Sequence, residues 1–411
     1  MQAAQTHRIN AIRALYDRPF RYFWANAFFS FGAINMQQLA RTFLARELTP
    51  SPLLVTSVFA LGSLPLLFAP LVGGVLADRM DRKRLILALD VTQAVLSAAL
   101  ATMIVVDMIN IPILMAFSVA TGTAMGLSFP IRQAMIPDTV APEAATNALV
   151  LFSGVFSIMM VLAPSIAGLI IGLAGVEAAI FATVLLLFPA IYFLIRMPLV
   201  ASPVQEKPET MIKAMAAGFR YVRLSKSLPV LMVSDILGTI LYMPYFSLMP
   251  IFQRDVLGVG ASGLGLLFTA TGVGAVCSSL LLALFSTERP STGFMMLFGI
   301  GAGLAIAGFS QSSSFGLSLG LLMIVGLGHT GFMTLSMAMV QYITPPEMRG
   351  RVMAIRMLVF GLIPIGTIAA GVIAELTSPQ LALGALALID AASQLVLWMW
   401  MRGTPMDPEP P

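Results

Sequence analysis

Arg41, Asp90, Asp235, His329 and Asp390 are ionisable side chains that stand inside long apolar stretches of this 411-residue sequence. A charge in such surroundings is expensive, and where one is kept it commonly marks a substrate pathway or a proton relay. A carboxylate deprived of water can load a proton and release it as water reaches it from one side or the other. Asp235 is the preferred proton or cation site, because Gly238, Tyr242 and Tyr245 follow it at helical spacing on a similar face. Its plainer role is a hydrogen bond to a neighbouring helix, and Asp390 and Asp90 are the other candidates for proton coupling. His329, with Thr330 and Thr334 close by, would present an imidazole and two hydroxyls on one rotation of its helix. Arg41 stands near one end of its stretch, where pairing with Glu47 or another loop carboxylate would make it part of a gate.

Covalent and metal chemistry have little to work with. Cys277 is the only cysteine, which excludes an intrachain disulfide and a cysteine metal cluster. Of the two histidines, His7 lies in the N-terminal tail, so no repeated metal-ligand or acid–base cluster emerges. The expectation is therefore no metal, no cofactor and no enzymatic activity.

The stretches that hold these residues set the class of the molecule. Hydrophobic residues make up 58% of the chain and charged residues 10%, against about 25% charged in an average soluble domain. Windows of about 19 residues place spans near 21–45, 53–76, 85–106, 111–130, 147–173 and 176–195. After a polar stretch, further spans follow near 229–252, 262–285, 293–310, 316–343, 352–374 and 380–401. Of the 23 Lys and Arg residues, only Arg41, Arg46 and Arg254 fall on the side opposite both termini. Cationic loops resist translocation, so this partition predicts an even number of spans with both ends in the cytoplasm. The first twenty residues carry Arg8, Arg13 and Arg18 without the apolar core of a cleavable signal, and the first span should act as an uncleaved insertion signal. The basic residues belong to short loops beside spans, which argues against a nucleic-acid partner.

Two correspondences suggest internal repetition. Ala141-Pro142-Glu143 matches Pro345-Pro346-Glu347 on the inner side, and Arg46-Glu47 matches Arg254-Asp255 on the outer side. Equal sidedness after six spans implies parallel repeats about an axis along the membrane normal. Between the halves, charge and Pro198, Pro203 and Pro208 concentrate, and Thr210 to Lys226 mixes apolar and basic residues at helical spacing, as in a surface helix. Within the spans, Asn35, Gln37 and Gln38 make the first unusually polar, while Gly154, Pro164 and Gly168 give the fifth a place to bend. The 28 methionines offer soft side chains that repack around varied apolar ligands.

Between spans 2 and 3 runs Gly73-Gly74-Val75-Leu76-Ala77-Asp78-Arg79-Met80-Asp81-Arg82-Lys83-Arg84. This stretch resembles the cytoplasmic signature loop of the major facilitator superfamily, with Asp81 where glycine is usual. The likeness extends from Phe20-Arg21 through Glu47-Leu48-Thr49 to Pro130-Ile131-Arg132 and Glu347-Met348-Arg349-Gly350-Arg351. It is greatest toward the enterobactin-exporter and macrolide-efflux branch. Ala163-Pro164-Ser165-Ile166-Ala167-Gly168 resembles a degraded antiporter element, whereas Ile111 to Phe129 lacks the arginine that many proton antiporters carry.

What the resemblance implies is an all-α membrane protein of the bacterial inner membrane, with twelve transmembrane helices in two parallel six-helix repeats. The expected division is a tail over 1–20, a bundle over 21–196, a linker with an amphipathic helix over 197–228, a second bundle over 229–402 and a tail over 403–411. Asp78 would close a cytoplasmic gate by meeting the start of span 11 and one of Arg132, Arg351 or Arg356, with Gly73, Gly74, Arg79 and Arg82 shaping the loop. Spans 1, 4, 7 and 10 would line a cavity with Asn35, Gln37, Gln38, Arg41, Tyr242, Tyr245, His329, Thr330 and Thr334, and span 5 would be the interface hinge. The implied activity is export of drug-like molecules or siderophores by a monomer, with protons as the partner ion and lipid as the solvent. Import of a nutrient by symport is the alternative.

Overall fold

The computed structural model describes residues 13–198, 211–284 and 291–401, and those residues are almost wholly helical. Expectations that involve His7, Arg8, Pro203, Pro208 or Thr210 fall outside them. Among the described residues, nine helices are long and apolar enough to cross a membrane, and Pro52–Leu67 with Ala69–Arg79 adds a tenth as a broken pair. Asn147–Arg196 accounts for 50 residues in one of the nine. That is about 75 Å of helix, more than twice a hydrocarbon core of about 30 Å. Gly175 interrupts it with φ 90°, a conformation that a side chain would oppose. Arg18–Leu48, 31 residues long, is missing from the nine because Asn26, Asn35, Gln37, Gln38 and Arg41 dilute its apolar character.

The helices are named α1 (Arg18–Leu48), α2 (Pro52–Ser63), α3 (Ala69–Arg79), α4 (Arg82–Val105), α5 (Ile111–Met135), α6 (Ala145–Arg196), α7 (Met211–Leu224) and α8 (Leu228–Tyr242). They continue with α9 (Pro244–Ile251), α10 (Ala261–Leu284), α11 (Thr292–Gln311), α12 (Phe315–Ile343), α13 (Pro346–Leu358), α14 (Ile363–Leu376) and α15 (Pro379–Met401). Their starts follow local chemistry. Ser51, Asn110 and Ser291 accept a hydrogen bond from a backbone N–H three residues on, which satisfies a donor the helix leaves free. Pro52 and Pro112 occupy first-turn positions where no N–H is needed.

The chain forms two compact units, Met1–Leu44 with Phe68–Glu206 and Ala45–Leu67 with Lys207–Pro411. In the first, Phe20, Phe23, Ala27 and Phe31 of α1 meet Ile86 of α4, Ile131 of α5 and Phe152 of α6, with Phe23 and Phe152 stacked at 5.7 Å. In the second, Leu228 and Leu231 of α8 meet Met295 and Met296 of α11, Phe332 and Met339 of α12 and Val352 of α13. Helix α7 docks on α13 through Gly218, where an added Cβ would stand 2.9 Å from Ile355 Cδ1. Outward surfaces are apolar: Leu173, Leu185, Phe188, Leu284 and Leu376 are all exposed. Such side chains on helices of this length belong against lipid tails.

Candidate functional site

The first unit holds a buried polar cluster built on α1, α4 and α5. Asp90 accepts hydrogen bonds from Arg132 Nη2 at 2.7 Å, Ser30 Oγ at 3.0 Å and Asn26 Nδ2 at 2.8 Å. Arg132, wholly buried, also donates to Ser128 Oγ at 2.8 Å, to Ser30 Oγ at 3.0 Å and to Asn26 Oδ1, and its guanidinium lies 5.7 Å from the centre of the Phe31 ring. Asn26 also donates to the Ala190 carbonyl at 2.9 Å, which brings in the second half of α6. A buried ion pair survives desolvation only when its spare donors and acceptors are met, as they are here. Asn26 and Ser30 were not singled out from sequence; their signal is the i, i+4 spacing that puts two polar groups on one face of α1.

The second unit holds a comparable pair. Asp235 of α8 accepts from Arg356 Nε at 2.6 Å and from Ser336 Oγ at 2.7 Å, and all three residues are buried. Arg356 lies in the last turn of α13, just before a 3₁₀ turn over Val359–Leu362. Both Arg132 and Arg356 therefore hold intramembrane carboxylates. Arg351 is half-buried on α13, and Asp78 is exposed with no hydrogen bond or ion pair among the described residues.

The signature loop is ordered by other members. Asp81 takes the place of the usual glycine with φ −61°, an ordinary conformation, and caps α4 by accepting from Arg84 N at 2.8 Å. Arg82 donates to Asp138 Oδ2 at 2.6 Å, to the Ala134 carbonyl at 2.8 Å and to the Ala77 carbonyl at 3.0 Å. Gly73 lets α3 close on α5, since a Cβ there would come within 2.6 Å of the Leu127 carbonyl oxygen. Gly74 is half-buried and Arg79 exposed.

The polar residues of α1 divide by neighbour. Gln37 is buried against α4, donating to Ser97 Oγ at 2.8 Å and accepting from Gln93 Nε2. Asn35 donates to the Phe31 carbonyl of its own helix at 2.9 Å, and Gln38 is half-buried. Arg41 donates to Thr121 Oγ1 of α5, while its buried Nε finds no acceptor among the described residues. Glu47 is engaged elsewhere: Arg254 Nη1 reaches it at 2.6 Å, and Arg46 grips Asp255 with contacts of 2.6 and 3.1 Å. The two dipeptides matched as repeats thus pair crosswise.

In the second unit Tyr242 stacks on His329 at 4.0 Å and meets Tyr245 edge-on at 5.0 Å. These rings stand beside a small cavity that Asp390 and Gln394 also line. Thr330 is half-buried and Thr334 exposed, and neither lines it. Pro164 and Gly168 of α6 are buried, whereas Gly154 has nothing within 4 Å of the place a Cβ would occupy. Among the described residues no group of three His, Cys, Asp or Glu could hold a metal ion.

A family model described as transmembrane secretion effector matches residues 10–407. Macrolide efflux protein A of Streptococcus pyogenes is 26% identical over 360 residues, covering 86% of this chain and 88% of that protein. The multidrug efflux pump Tap of Mycolicibacterium fortuitum is 27% identical, covering 79% and 84%. The staphyloferrin A transporter of Staphylococcus aureus is 21% identical, covering 76% and 78%. Among solved structures, that of the POT family transporter PepTSo superposes with a TM-score of 0.73 at 13% identity, covering 94% of this chain and 98% of that one.

Proposed function

Because this chain belongs to the transmembrane secretion effector family of the major facilitator superfamily, we propose that it exports small amphipathic organic molecules by alternating access, driven by proton antiport. It is a multi-pass integral membrane transporter and not an enzyme. The observation that carries the energy-coupling part of the proposal is the presence of three buried carboxylates, Asp90, Asp235 and Asp390, inside apolar helical bodies. A transporter changes state only through differential binding of its ligands to the two states, so a proton-driven one needs a group of this kind.

Twelve crossings follow if α6 counts as two spans, α2 with α3 as one, α8 with α9 as one, α13 with α14 as one, and polar α1 is included. Both termini then lie in the cytoplasm, α7 rests on the inner membrane surface between two six-helix repeats, and the monomer is the working unit. Asn35, Gln38, Arg41, Tyr245, Thr330 and Thr334 are the proposed cavity groups, Asp78 with Gly73 and Gly74 the inner gate, and Gly154, Pro164 and Gly168 the hinge. Macrolides and siderophores are the substrate classes that its relatives' names support.

Everted membrane vesicles test this directly. With an acid interior generated by respiration, vesicles containing the protein should accumulate at least one of radiolabelled erythromycin, a citrate-type siderophore and ethidium, and nigericin should abolish the uptake. Accumulation only in right-side-out vesicles would establish import instead. Flux indifferent to the pH gradient would remove the antiport.

A further inference from the structure

Asp390 differs from the other two buried carboxylates in what surrounds it. It is 3% exposed, in the middle of α15, and among the described residues no cation reaches it. Its Oδ1 accepts one hydrogen bond, from Gln394 Nε2 at 3.3 Å. The Gln394 amide is itself oriented by Ser234, whose Oγ donates to Gln394 Oε1 at 2.6 Å and whose carbonyl accepts from Nε2 at 3.3 Å. The carboxyl faces a cavity lined by Gly238, Tyr242, Gly299, His329, Phe332 and Gln394. The cavity is small, of the order of a single water molecule.

Chemistry separates the three carboxylates. A proton arriving at Asp90 or Asp235 must displace a guanidinium held at 2.7 or 2.6 Å and would strand a buried arginine. No such partner is lost when Asp390 takes a proton, because its one neighbour is the neutral Gln394 amide. His329 faces the same cavity, fixed by its stack on Tyr242, with no ring nitrogen committed to a hydrogen bond among the described residues. It is a second titratable side chain that lines the cavity, and the Arg356 cation lies near enough to act on it. The other groups that face the site are few. Helix α8 contributes Tyr242, whose hydroxyl donates to the Val325 carbonyl at 3.4 Å, and, beside Ser234, Asp235 already neutralised by Arg356. Helix α11 contributes only Gly299 and Ala302, and no ionisable residue of α14 lines the cavity.

We infer that Asp390 and His329 form a proton-binding site inside the second unit, in which the carboxyl is the resting carrier and the imidazole the exchange partner. In the transfer the Asp390 O–H bond breaks and an N–H bond forms on His329, directly or through one water, leaving a carboxylate and an imidazolium that face each other. Loss of that second proton to the opposite aqueous side resets the pair, and a proton from the acid side reloads the carboxyl. The site rests on the antiport reading for its purpose, and its existence can be tested without any substrate.

Infrared difference spectroscopy of the purified full-length protein in detergent provides the test. A carbonyl band of a protonated carboxyl should titrate with pH, vanish in Asp390→Asn, survive in the double variant Asp235→Asn/Arg356→Gln, and shift its titration midpoint in His329→Gln. A band that persists in folded Asp390→Asn, or a midpoint untouched by His329→Gln, overturns the assignment. Should Asp390→Asn fail to fold, Asp390→Glu should move the band's frequency, and an unmoved band is equally fatal. If the band behaves as expected while vesicles show no gradient-driven flux, the proton site stands and the antiport falls.

Discussion

At the scale of single residues, the structure sorts the intramembrane charges by partner, and the sorting has measurable consequences. Arg132 is wholly buried and fully engaged by Asp90, Asn26, Ser30 and Ser128. Removing one member of such a pair leaves the other as an uncompensated buried charge, so Arg132→Gln should lower unfolding stability by about 3–5 kcal/mol, read by SDS titration with circular dichroism. Asp90→Asn/Arg132→Gln should lose less than either single change, and a double variant as unstable as the sum of the two would deny that the residues act as a pair. Asp90, Asp235 and Asp390 are legible in the sequence because a charge inside an apolar run is conspicuous, whereas Arg132 and Arg356 stand out only through the resemblance. Their partners were hidden, since pairing depends on which helix faces which. Arg132 and Arg356 were assigned to the gate from the resemblance, while the structure gives each to a carboxylate in its own unit. Gln37 was placed with the cavity-lining residues of α1, yet its amide is spent on Gln93 and Ser97 of α4. Hydropathy marks α1 as polar but carries no information on the direction of each side chain.

At the scale of elements, glycine shows which helix contacts are tight. Gly274 of α10 and Gly326 of α12 face each other's helices so closely that a Cβ on either would collide with the backbone carbonyl of Met323 or Thr271. Small residues at such crossings let helices associate by close van der Waals contact, which lipid cannot provide through hydrophobicity. Gly274→Ala and Gly326→Ala should each cost about 1–3 kcal/mol by overpacking. Gly154, a hinge candidate from its sequence context, has nothing among the described residues within 4 Å of the place a Cβ would occupy. Gly154→Ala should therefore raise thermal stability in detergent, by about 0.5–1 kcal/mol from helix entropy, while slowing transport if bending at this point is used. A loss of stability comparable to that of Gly326→Ala would instead make Gly154 a packing residue. Element boundaries were largely legible from hydropathy alone, because apolar runs end where charge begins; the caps at Ser51, Asn110 and Ser291 are seen only in the structure. Asp81 was the one position in the signature loop that departed from the usual pattern, and it is accommodated because a carboxylate at an N-cap needs no positive φ.

At the scale of the whole molecule, the distribution of Lys and Arg remains the strongest argument for orientation. It places only Arg41, Arg46 and Arg254 on the outer side, and insertion machinery retains cationic loops in the cytoplasm. Two of these three cations meet a carboxylate, Arg46 that of Asp255 and Arg254 that of Glu47, while Arg41 meets the Thr121 hydroxyl. Length alone would not establish the count, because a 50-residue apolar helix registers as one crossing until the break at Gly175 is considered. An odd total would put the two ends on opposite faces. The unique cysteine makes this testable with little background: in Cys277→Ser, single cysteines are returned as Gln5→Cys, Gly260→Cys and Asp407→Cys, and intact cells are treated with a membrane-impermeant maleimide. Gly260→Cys should label within minutes, and Gln5→Cys and Asp407→Cys should label only after the cells are broken. Labelling of one terminus in intact cells would require an odd number of crossings, and parallel six-helix repeats could not then be built from this chain.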